Sequence, residues 1–248
     1  MRAYRRAIAI ALIIGGSSGI GAASALRDDG HDIAVGYGRR AEATAGVPAE
    51  IRALGRAAGV FAADMADAAA TSALRSAVEG ELGPVGILIA NAGINHPLER
   101  DPRKIDAAAW DRAMAINLRA PFLLAASAIG GMIDRRFGRI VLLSSVAAYT
   151  GGIVGPHYAA SKAGLHGLAH SLSQFASGHG VTVNVVAPAL IATDMIPNDE
   201  QTLTDLARRI PVGRLGQASE VADLIAAIVR NPYLTNQSIL IDGGIRPF

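Results

Sequence analysis

Short apolar runs recur along the chain, each closed by a turn rich in glycine, serine or asparagine and most followed by helical periodicity. Ala7 to Ile14, Asp32 to Tyr37, Val60 to Ala63, Gly86 to Ala90, Arg139 to Leu143, Thr182 to Val186 and Ser238 to Ile241 read as strands. Runs this uniformly apolar suit strands buried on both faces. Helical stretches fall at about Ile20 to Asp29, Ala41 to Ala58 (broken or capped near Gly46-Val47-Pro48), Ala68 to Glu81 and Asp106 to Arg135. Two more begin at Tyr158 and span about Ser219 to Arg230. Seven strands alternating with helices, without a linker or an internal repeat, predict one α/β domain over residues 1–248. Its centre is a doubly wound, seven-stranded parallel sheet with helices on both faces.

The turns carry the candidate chemistry. The first strand closes on Gly15-Gly16-Ser17-Ser18-Gly19-Ile20-Gly21 and leads into a helix. Glycines there let backbone approach a pyrophosphate, and the free N–H groups at a helix start attract an anion, so a dinucleotide is expected. The second strand ends in Gly38-Arg39-Arg40, with no acidic residue to hold ribose hydroxyls. Two guanidinium groups suit a 2′-phosphate, which favours NADP(H) over NAD(H). Asp64 and Met65 follow the third strand, where an adenine ring could be met, although Asp64 is also placed to cap the next helix. The fourth strand ends in Asn91-Ala92-Gly93, small groups that leave room for a cofactor. Asn117 lies within a long helical stretch, where asparagine is a poor helix former, which points to a structural water or a bend.

Ser145 follows the apolar run Ile140 to Leu143, so its hydroxyl would sit at the C-terminal mouth of a buried strand. Tyr158 and Lys162 are four residues apart, hence one turn apart on one helix face. An ammonium beside a phenol favours the phenolate, so the Tyr158 pKa is expected to fall and the group to exchange protons near neutral pH. The polar, proline-bearing segment at about 192–214 reads as a lid over such a site.

Composition narrows the alternatives. The chain has 51% apolar residues, only 4% aromatic, and a formal charge of +2 with its arginines scattered. A core of Ala, Val, Ile and Leu follows, and nucleic-acid binding has little support. The absence of cysteine excludes disulfides and thiolate metal sites, and no metal site is expected. Arg2, Arg5 and Arg6 ahead of an apolar run imitate a secretory signal, but glycines and serines interrupt the run. It is read as a buried first strand, with no membrane span and a cytoplasmic location.

In order and spacing these motifs resemble the short-chain dehydrogenase/reductase family along essentially the whole chain. The likeness rests on the glycine loop, Asp64, Asn91-Ala92-Gly93, Asn117, Ser145, Tyr158-x-x-x-Lys162, Pro188 with Thr193, and Asp242-Gly243-Gly244. It implies a Rossmann-type fold and a cytoplasmic homotetramer. Tyr158 would be general acid or base, Ser145 would hold the substrate oxygen, and Lys162 would tune Tyr158 and bind the nicotinamide ribose. Asn117 would hold a relay water, and Ile191 and Thr193 would meet the carboxamide. Two positions depart from the pattern: Ile14 where a threonine is usual, and Ala189 where a glycine is usual. Val183 to Pro188 and Gly213 to Gly216 most resemble the 3-oxoacyl-(acyl carrier protein) reductases of fatty acid biosynthesis. The substrate would then be a small carbonyl compound or alcohol, possibly carrier-bound. A dehydrogenase of another small alcohol, sugar or polyol, and a cofactor-binding regulatory protein without turnover, are the alternatives left open.

Overall fold

The computed structural model describes residues 9–16, 20, 30–38, 46–96, 98–193, 196 and 199–246. Seven strands form one parallel sheet: β1 Ile10–Ile14, β2 Asp32–Tyr37, β3 Ala58–Ala62, β4 Val85–Ala90, β5 Gly138–Leu143, β6 Val181–Pro188 and β7 Ser238–Ile241. Their spatial order is β3-β2-β1-β4-β5-β6-β7. The order reverses between β1 and β4, so a crevice opens beyond the C-terminal ends of those two strands.

The sheet is covered on both faces, and β1 shows how residue alternation divides the two cores. Ile10, Leu12 and Ile14 join a cluster with Leu88, Leu124, Ile140 and Val183. Ala11 and Ile13 turn the other way, toward Ile87, Val141, Val221 and Ile225. Both sets are withdrawn from water, which accounts for the unbroken apolar runs.

The helices are α1 Gly46–Ala53, α2 Ala68–Glu81, α3 Ala107–Met114, α4 Ala120–Asp134, α5 Ala147–Thr150, α6 Pro156–Ala176, α7 Glu200–Ala207 and α8 Ala218–Arg230. Asp67 starts α2 by accepting the N–H groups of Ala69 and Ala70, an ordinary aspartate cap. Of the stretch at about Ala41 to Ala58, residues 41–45 lie outside the described residues, and α1 ends before the turn at Gly55, whose φ of +75° breaks the helix ahead of β3.

The long helical stretch differs from a plain helix in an informative way. Between α3 and α4 lies a π turn, Ala115–Arg119, in which the Ala120 N–H reaches back to the Ala115 carbonyl. Pro121 explains it: with no N–H to give and a ring that crowds the carbonyl four residues earlier, it denies Asn117 its α-helical partner. The widened turn carries Asn117 inward, fully buried. From Ala107 to Asp134 the helical stretch is long and apolar enough to cross a membrane, but half of its most apolar window is buried in the fold. It serves as a core helix against the sheet.

Candidate active site

The crevice is lined where β1, β4, β5 and β6 end. Gly15 closes β1 with φ at +74°, a backbone conformation natural to glycine. Its N–H donates to the Gly36 carbonyl at 2.9 Å, and its carbonyl accepts from Asn91 Nδ2 at 3.0 Å. Asn91 thereby ties the end of β4 to the glycine turn. A Cβ on Gly15 would fall 2.9 Å from Ala92 Cα, and one on Gly93 would fall 3.0 Å from Lys162 Nζ. Bare backbone on both sides of the crevice is the cradle a dinucleotide needs.

The other cofactor expectations divide. Ser17, Ser18, Gly19, Gly21, Arg39 and Arg40 lie outside the described residues. Ile20 packs against the core face that holds Ile13 and Val35. Asp64 is exposed and its Oδ1 caps the Ala66 N–H at 2.9 Å, while Met65 is buried in the core. Pro188 ends β6 and its carbonyl accepts from the Val146 N–H at 2.9 Å, joining the β5 and β6 ends. Ile191 is buried beside Gly216, and Thr193 is half-buried on the same stretch.

Tyr158 and Lys162 stand in the first two turns of α6, which begins at Pro156, where proline's missing N–H costs nothing. Both side chains are buried. Lys162 Nζ donates to the Leu143 carbonyl at 2.7 Å and lies 5.8 Å from the centre of the Tyr158 ring. Asn117 reaches the same place from the π turn. Its Oδ1 accepts from the Ile94 N–H at 2.8 Å, and its Nδ2 donates to the Ile94 carbonyl at 2.9 Å and to Ser161 Oγ at 3.0 Å. Ser161 in turn donates to the Tyr158 carbonyl at 2.8 Å. Asn117 therefore clamps the loop after β4 onto the helix that carries Tyr158.

One expectation is corrected. The Tyr158 pKa is raised, not lowered: burial pushes it up, and the neighbouring Ser145 hydroxyl draws it down by less. Lys162, with Nζ 5.8 Å from the ring centre, does not reverse this, and burial lowers its own pKa to about 8. At neutral pH Tyr158 is a protonated phenol, the form that gives up a proton.

Other readings are revised as well. His157, beside Tyr158, is fully buried, and neither ring nitrogen has a hydrogen-bond partner of normal geometry. Burial lowers its pKa, so it is an interior neutral imidazole. Ala189 carries no backbone penalty, since Arg136 and Asn236 are the non-glycine residues with positive φ among those described. Ile14 has found a use: its Cδ1 sits over the bare Cα of Gly36, 2.6 Å from where a Cβ would be. Ser144 and Ser161 were not singled out for roles. Ser161 was legible in principle, as a serine three residues after a tyrosine on one helix can reach its carbonyl.

Residues 9–204 match the family model described as short chain dehydrogenase. The chain belongs to the short-chain dehydrogenase family. It is 35% identical over 241 residues to an acetoacetyl-CoA reductase of Cupriavidus necator, covering 95% of this chain and 97% of that one. It is 32% identical over 240 residues to the 3-oxoacyl-[acyl-carrier-protein] reductase FabG of Staphylococcus aureus, with the same coverage. A blue fluorescent protein from a metagenomic library, solved in complex with NADPH, superposes with a TM-score of 0.88 at 33% identity, covering 96% and 98% of the two chains. As a short-chain dehydrogenase/reductase the chain is an NAD(P)-dependent oxidoreductase, and the crevice between Gly15 and Gly93 fits such a cofactor.

The Lys162 shift makes a prediction about stability. In the folded short-chain dehydrogenase Lys162 loses its proton at about pH 8 rather than 10.5. Between those values the unfolded chain binds more protons, so this residue makes stability rise with pH. Urea unfolding between about pH 8 and 10 should show a positive slope, approaching ~1.4 kcal/mol per pH unit from this group. Lys162→Met should lose that component; equal slopes in both proteins would refute the assignment.

Proposed function

We propose that the enzyme reduces a 3-oxoacyl thioester, free or carried on an acyl carrier protein, using NADPH. The observation that carries the reading is the buried, protonated Tyr158 with the Ser145 hydroxyl beside it, at the strand ends where the cofactor cradle opens. When bound in the crevice, the nicotinamide would supply the hydride. Ser145 donates a hydrogen bond to the carbonyl oxygen and orients it. Tyr158 gives its proton to that oxygen as the alcohol forms. Lys162, with a pKa near that of the medium, would hold the ribose and help return the proton to Tyr158. Asn117 keeps one Oδ1 lone pair beyond its bond to Ile94, facing the same spot beside Gly93 as Lys162 Nζ, and would hold the relay water there. Pro188, Ile191 and Thr193 would border the carboxamide, and Arg39 and Arg40 would take the 2′-phosphate.

The substrate side of the reading draws on the names of the relatives and on the crevice. Residues 192–214 would form its lid. Helix α7 packs there through Leu206, with Ile210 and Leu215, into a small separate cluster. Arg214 does not face a carrier, because it is paired with Glu220 at 2.6 Å, which draws the Glu220 carboxyl down to about 2. Arg208, within 3.5 Å of Asp205, and Arg209 are also exposed on the lid, and Arg209 would meet an acidic carrier. The enzyme would work in the cytoplasm.

A tetramer belongs to the same reading. Gly164 is packed within the subunit against Leu118, but Gly167 has nothing near it. Half-exposed Phe122 lies on α4 and exposed Phe175 on α6, so both helices offer a face to symmetry mates. Light scattering should give the mass of four chains; a monomer mass would refute this.

The direct test is NADPH oxidation with an acetoacetyl thioester, alongside NADH, sugars, polyols and simple ketones. NADPH-dependent turnover of the thioester is expected, falling by at least about 100-fold in Tyr158→Phe. Replacing Arg39 and Arg40 by alanine should raise KM for NADPH and leave NADH use unchanged. Turnover only of sugars or polyols would overturn the substrate, and NADPH binding without any turnover would overturn the enzymatic reading of the site.

A further inference from the structure

Beside the residues that touch the crevice lies a polar chain, buried at Ser144 and half-buried from His166 outward, that the reaction above does not use. Ser144 precedes Ser145 at the end of β5 and is buried. Its N–H donates to the Val186 carbonyl of β6 at 2.8 Å. Its hydroxyl donates to the Lys162 carbonyl at 2.9 Å and lies 2.8 Å from His166 Nε2. On its other side, His166 Nδ1 lies 2.9 Å from Ser238 Oγ of β7 and 3.3 Å from the Tyr149 hydroxyl. The Tyr149 ring meets the imidazole edge-on at 4.9 Å and carries the Arg246 guanidinium on its face at 4.5 Å.

Counting protons fixes the direction of each bond. A carbonyl only accepts, so the single Ser144 proton points at Lys162. Nε2 must then carry the imidazole proton and donate it to Ser144. Nδ1 is left as an acceptor whose one lone pair takes the Ser238 hydroxyl at 2.9 Å, with the Tyr149 hydroxyl farther off at 3.3 Å. Burial and the nearby His170 both lower the His166 pKa, which keeps this neutral tautomer in place at pH 7.

We propose that His166 is a positioning residue: through Ser144 it locks the strand end carrying Ser145 to the helix turn carrying Tyr158 and Lys162. The inference rests on the catalytic roles proposed above. A satisfied network anchored on a buried hydroxyl holds one geometry where a partly satisfied one would not. The two hydroxyl-bearing catalytic residues come from different elements, β5 and α6. Their separation therefore depends on what joins those elements, and Ser144 joins them directly. Few side chains can replace the imidazole, because a donor and an acceptor are needed on opposite sides of one rigid ring.

The test compares His166→Phe, His166→Gln, Ser144→Ala, the double variant Ser144→Ala/His166→Phe, and Tyr158→Phe in the intact enzyme. His166→Phe should lower kcat for thioester reduction about 10- to 100-fold, as a small misplacement of reacting groups does. KM for NADPH should stay unchanged. His166→Gln, which keeps a donor for Ser144 but not the acceptor on the far side of the ring, should recover part of the loss. Ser144→Ala should resemble His166→Phe, and the double variant should be no worse than either single change, because both break one unit. Ser238→Ala leaves the core intact and should give a smaller loss in kcat, so the inference stays testable if His166→Phe does not fold. Full kcat in His166→Phe or Ser144→Ala, or losses that simply multiply in the double variant, would overturn the positioning role while Tyr158→Phe still identifies the proton donor. Turnover that survives Tyr158→Phe would overturn the catalytic reading and this inference with it.

Discussion

Burying the Lys162 ammonium at the C-terminal end of an interior strand carries a desolvation cost, visible in a pKa lowered to about 8, and the surroundings are organised to tolerate it. The Leu143 carbonyl at the end of β5 accepts one of its N–H bonds. Gly93 leaves out the side chain that would press against Nζ. Asn117 holds Ile94, and with it the loop after β4, beside the same helix turn. Asn117 itself gets there through a π turn that Pro121 imposes on the long helix. The strand ends, the widened turn and the helix start thus form one arrangement around a single buried cation.

That arrangement also explains why the site can be rigid without many aromatic residues. The two cores are aliphatic and divide cleanly by strand alternation, so the sheet sets the height at which each loop emerges. Fine placement is left to short polar links: Asn91 to Gly15, Asn117 to Ser161, and Ser144 to Lys162. Each crosses between elements, and each is buried or partly buried, where a lost hydrogen bond costs more than at the surface.

Most of the architecture was legible in the sequence because buried parallel strands cannot alternate with polar residues. All seven strands were placed, β2 and β7 with both ends as expected and no end of the others off by more than three residues. The helix turn holding Tyr158 and Lys162 was legible from spacing alone. What spacing cannot carry is the balance between burial and charge. Tyr158 was expected to be acidified by its neighbour, yet desolvation outweighs that effect and disfavours the lysine's charge too. The π turn was anticipated only as a bend, since its cause lies in the pairing of Pro121 with a residue four positions back. Ile14 looked like a missing hydroxyl until Gly36 was seen beneath it.

The central claim is that Ser145 and Tyr158 together receive the oxygen of a carbonyl or alcohol beside a bound nicotinamide. A crystal structure of the enzyme with NADP and a 3-hydroxyacyl thioester tests it most directly. The account predicts the hydroxyl oxygen within about 3 Å of both the Ser145 and Tyr158 hydroxyls, with the pyrophosphate over the Gly15 turn. A thioester bound with its hydroxyl away from both residues, or a cofactor outside the crevice between β1 and β4, would contradict it.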